Sequence, residues 1–153
     1  MVPTGTYSYL DVGYDYSCAI TTAGAVTCWG GDDETLLATP TGVFESVAAN
    51  SSHACALDTL GVASCWGSNN NGQATPPEGA PAFVQISVGS ALTCALDTEG
   101  AIHCWGRDAD GDMAPPTGVY NSVGVGQNFA CAVEHASGTV ECWGEDGSGQ
   151  SSP

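Results

Sequence analysis

A chain of 153 residues is long enough for one domain with a real core and too short for a second full domain. Its 17 acidic side chains face a single Arg107 and no lysine, a formal charge of -16 that repels polyanions and supplies no phosphate clamp, so nucleic acid is excluded as a partner. No apolar run approaches the roughly 18 residues that span a bilayer, and Met1-Val2-Pro3-Thr4-Gly5 lacks the basic and apolar regions of a secretory leader, so no membrane role is expected.

Read from the start, Tyr7 is followed by alternating Leu10 and Val12, a period of two that predicts a strand with one buried face. Gly13 follows, then the short loop Tyr14-Asp15-Tyr16, then Cys18-Ala19-Ile20, which reads as a buried strand. Gly24 marks a turn, and Cys28-Trp29-Gly30 closes a β-hairpin. The same order returns from Phe44 through Val47, Ala49, Asn50, Cys55-Ala56-Leu57 and Gly61 to Cys65-Trp66-Gly67. It returns again from Phe83 through Ile86, Val88, Gly89, Cys94-Ala95-Leu96 and Gly100 to Cys104-Trp105-Gly106. The last round runs from Tyr120 through Val123, Val125, Gly126, Cys131-Ala132-Val133 and Gly138 to Cys142-Trp143-Gly144. The slot of Gly13, Asn50, Gly89 and Gly126 is expected to need a positive φ, because Asn best tolerates the left-handed backbone after Gly.

The fold class is therefore all-β: one domain, 1–153, of four repeats of about 38 residues, at 6–42, 43–81, 82–118 and 119–153. Each repeat supplies a small antiparallel sheet, with room for a fourth short edge strand before the next unit. A unit this small cannot bury its own faces, so the sheets must pack side by side as β-propeller blades or solenoid turns.

Eight cysteines fall into the pairs Cys18/Cys28, Cys55/Cys65, Cys94/Cys104 and Cys131/Cys142, and the repeat singles out local disulfides, one across each hairpin. A loop this short stabilises by roughly 3 kcal/mol in the chain-entropy model, and disulfides place the folded protein in an oxidising compartment. Zinc is disfavoured, since no two cysteines stand two to four residues apart.

His53-Ala54-Cys55-Ala56-Leu57, Cys65-Trp66-Gly67-Ser68-Asn69-Asn70-Asn71-Gly72-Gln73 and the upstream Val47 resemble repeats of the regulator of chromosome condensation family. The resemblance covers essentially the whole chain and is nearest to cysteine-paired bacterial and extracellular members. It implies a β-propeller, usually of seven blades. Asp32-Asp33-Glu34-Thr35-Leu36 in the first unit and Gly111-Asp112 in the third depart from the Gly72-Gln73 element, which Gly149-Gln150 restores in the fourth. The nuclear founder's action on a small GTPase and on chromatin is not carried over, given the acidity and the disulfides.

The tryptophans Trp29, Trp66, Trp105 and Trp143 hold one slot in every unit, which assigns them to packing between blades rather than to a ligand ring. Asp108, Asp110 and Asp112 around Gly111 form a weak calcium candidate that lacks the closing Glu of a calcium loop, and no metal or cofactor is otherwise expected. Asp58-Thr59-Leu60-Gly61 and Asp97-Thr98-Glu99-Gly100 read as turns. His53, His103 and His135 share no register and build no triad, so the chain is not expected to be an enzyme.

The loops before each first cysteine vary, and Tyr14, Tyr16, His53, Leu92, Asn128 and Phe129 are the candidate contacts of a protein partner at one rim. The expected function is a secreted or extracellular propeller module for protein–protein recognition. The alternative is a structural, self-associating surface or adhesin repeat. The parallel between Val2-Pro3-Thr4-Gly5-Thr6-Tyr7 and Ala114-Pro115-Pro116-Thr117-Gly118-Val119-Tyr120 fits four whole units, excised or designed, from a longer array. Two such arcs would close as a homodimer into an eight-bladed ring.

Overall fold

The computed structural model of the protein describes residues 3–107 and 114–152. Four three-stranded antiparallel sheets follow one another, one in each repeat. They comprise β1 (Tyr7–Val12), β2 (Tyr16–Thr21) and β3 (Val26–Gly30); β4 (Phe44–Ala49), β5 (His53–Asp58) and β6 (Ala63–Gly67); β7 (Phe83–Val88), β8 (Leu92–Asp97) and β9 (Ile102–Gly106); and β10 (Tyr120–Val125), β11 (Phe129–Glu134) and β12 (Val140–Gly144). A single short helix, α1 (Glu34–Leu37), lies between the first two sheets. Among the described residues no helix is long and apolar enough to cross a membrane.

The cysteines sit directly opposite one another across each hairpin, at Cys18↔Cys28, Cys55↔Cys65, Cys94↔Cys104 and Cys131↔Cys142. All four disulfides form within their own sheet, with Cα atoms 4.0 to 4.1 Å apart. Gly24, Gly61, Gly100 and Gly138 take φ of +88°, +77°, +85° and +71° in the hairpin turns, a backbone that a side chain would strain.

Each first strand carries a register shift after its opening aromatic, between Tyr7 and Tyr9, Phe44 and Ser46, Phe83 and Gln85, and Tyr120 and Ser122. A bulge adds one residue and reverses the alternation beyond it. The aromatic therefore shares a face with the fourth and sixth strand positions: Phe44, Val47 and Ala49 of β4 are all buried against the first sheet. Each interface is built from the same strand positions. Tyr16, Cys18, Ile20 and Val26 of the first sheet pack on Phe44, Val47, Ala49, Ala54, Ala56 and Trp66 of the second, and the equivalent residues build the other two clusters. A main-chain bond from the next unit's opening aromatic to the turn glycine links consecutive blades, as in Phe44 N to Gly24 O at 2.8 Å.

Two expectations are corrected. The described residues contain no fourth edge strand; the connections carry Pro40, Pro76, Pro77, Pro81, Pro115 and Pro116, and proline cannot donate to a ladder. The Gly13 slot has no positive φ in any unit. Its demand is for space, because a Cβ on Gly13 would lie 2.6 Å from Asn50 O of the next blade, and one on Gly126 would overlap the Phe129 ring. Asn50 uses its own slot differently, donating from Nδ2 to Val88 O at 3.0 Å.

Candidate functional site

Tyr16, His53, Leu92 and Phe129 occupy one position, two residues before the first cysteine, at the start of each central strand. Tyr16, His53 and Leu92 are buried, so they are packing residues and not open to a partner. Tyr16 Oη donates to His53 O at 2.7 Å, and burial pushes its phenol well above the usual range, which keeps the proton in place for that bond. The Thr93 hydroxyl donates to Gln73 O at 2.9 Å, so at 2.8 Å it must accept from His53 Nε2. That assigns the Nε2–H tautomer to His53 and leaves Nδ1 buried without a partner. Burial lowers the His53 pKa to about 4, so the ring is neutral at ordinary pH.

These bonds form a polar relay across the first three blades. Trp105 Nε1 ends it, donating to the same Gln73 O at 3.0 Å while its ring stacks on Phe83. Trp66 Nε1 does the same one blade earlier, to Leu36 O at 2.9 Å. For Trp66 and Trp105 the packing role thus includes a hydrogen bond to the preceding blade's loop. For Trp143 the corresponding loop residue, Asp112, lies outside the described residues, as do Asp108 and Asp110, the remainder of the calcium candidate. Among the described residues no cluster of three or more His, Cys, Asp or Glu is placed to hold a metal.

The turn carboxylates do local work. Asp58 Oδ1 accepts from Leu60 N and Val62 N, and Asp97 Oδ1 from Glu99 N and Ala101 N. Burial would raise the Asp97 carboxyl, but His103 at 2.8 Å and those amides outweigh it and hold it below the usual carboxylate range.

What remains accessible on the candidate rim is Tyr14, 88 % exposed, with exposed Asp15 and the half-buried Asn128 and Phe129. Asn128 Nδ2 donates to Glu145 Oε2 at 2.9 Å. Apolar side chains are also accessible on the outer faces of the first and last sheets. Leu10 and Val12 of β1 are 58 % and 59 % exposed, whereas Val47 and Ala49, their equivalents in the second blade, are 2 % and 7 % exposed. At the other end Val140 is exposed and Cys131 and Val133 are half-buried, although their equivalents Cys18, Cys55 and Cys94, and Ile20, Leu57 and Leu96, are buried.

The internal repeats, the Gly-Gln element and the propeller blades now meet an external match. The Regulator of chromosome condensation (RCC1) repeat family matches residues 44–73 and 83–112. The second and third units thus match the RCC1 repeat, each over the span from its opening aromatic to the loop after Cys-Trp-Gly. The first and fourth build the same three-stranded sheet and the same disulfide around them. No curated protein matches the chain.

Among solved structures, the CRINKLY WD40 ectodomain of the Arabidopsis thaliana receptor kinase ACR4 superposes with a TM-score of 0.73 at 26% identity, over 88% of this chain and 48% of that one. The entire ectodomain of the Physcomitrella patens receptor kinase CR4 gives 0.77 at 26% identity, over 89% and 38%. Prp20p, the RCC1 of Saccharomyces cerevisiae, gives 0.78 at 18% identity, over 94% and 47%, a likeness of fold alone. The chain therefore spans about half or less of the length of these solved chains.

Sequence reasoning placed the tryptophans at the interfaces but missed the residues that receive them. Gly72-Gln73 was visible as a motif shared with Gly149-Gln150. Nothing in its composition marks a main-chain oxygen as the acceptor. Thr93, buried among apolar neighbours, was the available signal, because a buried hydroxyl needs a partner.

Proposed function

We propose that the chain is an extracellular protein-recognition module that acts from a closed propeller ring, two copies of its four-bladed arc completing that ring. The single observation that carries this reading is the repetition of burial: residues covered at the interfaces between consecutive blades are bare on both ends of the arc. An apolar face of this kind drives association. Four disulfides support an oxidising location, and the similarity to two receptor ectodomains agrees with it. On the closed ring, Tyr14, Asp15, Asn128 and Phe129 would offer aromatic anchors in an acidic surround, which selects a basic protein partner.

Light scattering tests the assembly, with twice the 15.4 kDa chain mass expected. A folded monomer at every concentration would overturn it. For recognition, a photo-crosslinking residue at Tyr14 is exposed to the secreted proteins of the source cells; a heterologous adduct lost on Asp15→Lys is expected. Adducts between copies alone would favour the self-associating structural reading.

A further inference from the structure

We infer that the closing contact between two copies is keyed by the Gly149-Gln150 loop of one copy docking on Trp29 and Ser17 of the other. This rests on the ring reading above and specifies how the ends recognise each other.

The template is internal. Between the second and third blades, Gln73 is 1 % exposed and its main-chain oxygen accepts two bonds, from Thr93 Oγ1 and Trp105 Nε1. The loop is shaped by its own side chains: Gln73 Oε1 accepts from Asn71 N at 2.9 Å, Asn69 Oδ1 from Ala74 N at 3.0 Å, and Asn69 O from Gly72 N at 3.1 Å. Gly106, beside Trp105, leaves room for the loop, since a Cβ there would lie 3.2 Å from Gln73 Cα.

The fourth unit folds the same loop with the same three bonds. Gln150 Oε1 accepts from Ser148 N at 2.8 Å, Asp146 Oδ1 from Ser151 N at 2.8 Å, and Asp146 O from Gly149 N at 3.0 Å. Gly149 at φ +76° matches Gly72 at +79°. The Gln150 carbonyl receives no donor among the described residues.

The receiving half stands on the first blade. Ser17 and Trp29 face each other in the β2–β3 register as Thr93 and Trp105 do in β8–β9. Gly30 follows Trp29, with φ +89°. Ser17 and Trp29 are half-buried, and neither side chain has a hydrogen-bond partner among the described residues.

The distribution of hydroxyls points the same way. The Thr93 position reads Ala54 in the second unit and Ala130 in the fourth, the units packed behind the loops that lack Gly-Gln. A hydroxyl occurs at Thr93, behind Gly72-Gln73, and at Ser17, which only a head-to-tail neighbour sets behind Gly149-Gln150. An exposed serine satisfied by water would need no such correspondence. The occupant of the first blade's open face is therefore a second copy, in a heterologous contact that closes when each copy gives one loop and takes one.

Dilution series of the full chain in the analytical ultracentrifuge test this, using wild type, Ser17→Ala and Trp29→Phe. Ala is the residue of the second and fourth units, and Phe keeps the ring while removing the N–H. Each variant is expected to weaken dimerisation about tenfold, with an unchanged far-ultraviolet spectrum. Ala54→Ser, which places a hydroxyl at the same position of an internal interface, is the control and should leave the dimer constant unaltered. A wild-type dimer that both variants leave intact would overturn the docking while the ring stands. A monomeric wild type would overturn both.

Discussion

The first and second blade interfaces make one hydrogen bond from two different local structures. In the first, Asp33 caps the four-residue helix α1, its Oδ1 accepting from Thr35 N at 2.9 Å, and buried Leu36 offers its carbonyl to Trp66. In the second, an Asn-Gly-Gln turn folded by side-chain amides offers the Gln73 carbonyl to Trp105. The tryptophan reads a main-chain oxygen at a fixed place and is indifferent to the side chain that put it there. That indifference lets the loops diverge while the blades stay in step.

The largest expected effect would break the comparison at its common element. Trp66→Ala and Trp105→Ala should each cost about 3 to 5 kcal/mol in urea unfolding, by cavity formation and loss of the bond. A much smaller cost at one interface would mean that its loop holds itself in place.

Acid separates the two interfaces next. His53 belongs to the polar second interface, through Thr93, and no comparable group lies behind Leu36. Its folded pKa of about 4 lies below the unfolded value of 6.5, so the unfolded chain binds the proton first. Stability is full above pH 6.5 and falls as the pH drops towards 4, by about 3 kcal/mol. Unfolding curves at successive pH values should show this, and His53→Leu, the residue of the third unit, should flatten the profile. Carboxylates with lowered values, such as Asp97, lose their contributions at more acidic pH.

Thr93→Val sharpens the comparison at a single atom. It removes one donor to Gln73 O and strands His53 Nε2–H, and should cost about 1 to 2 kcal/mol by thermal unfolding. The matching Ala54→Val at the first interface tests volume alone. Smallest is Asp33→Ala, which uncaps α1 and should cost about 1 kcal/mol or less, leaving the second interface as it was. An equal loss at both interfaces, read by hydrogen exchange at Trp66 and Trp105, would show that they do not act independently.

The repeat made the blades and the disulfides legible from Cys-Trp-Gly alone, because covalent pairing and turn glycines constrain residues close in sequence. The bulge after Tyr7, Phe44, Phe83 and Tyr120 was present as a break in alternation. The first position of each central strand was misread for a reason of geometry. Tyr16, His53 and Leu92 vary as a contact surface would, yet the strand begins two residues before the Cys-Ala-aliphatic run and carries them inside. Variation there reflects mutual fit between neighbouring blades, as in the Tyr16 to His53 and His53 to Thr93 bonds. The Gly13 slot was misread because crowding and a left-handed backbone leave the same glycine in the sequence.

The disulfides lock each hairpin but join no blade to the next. Under tension applied at its ends, the chain can part blade from blade and peel each outer first strand, while the segment between paired cysteines, a sequence separation of 10 or 11, stays out of the load path. Each unit thereby withholds roughly 30 Å of contour length, at about 3.4 Å per extended residue. A stretched array of such units would lengthen in shortened steps and recoil from preformed hairpins, a spring with its own stops.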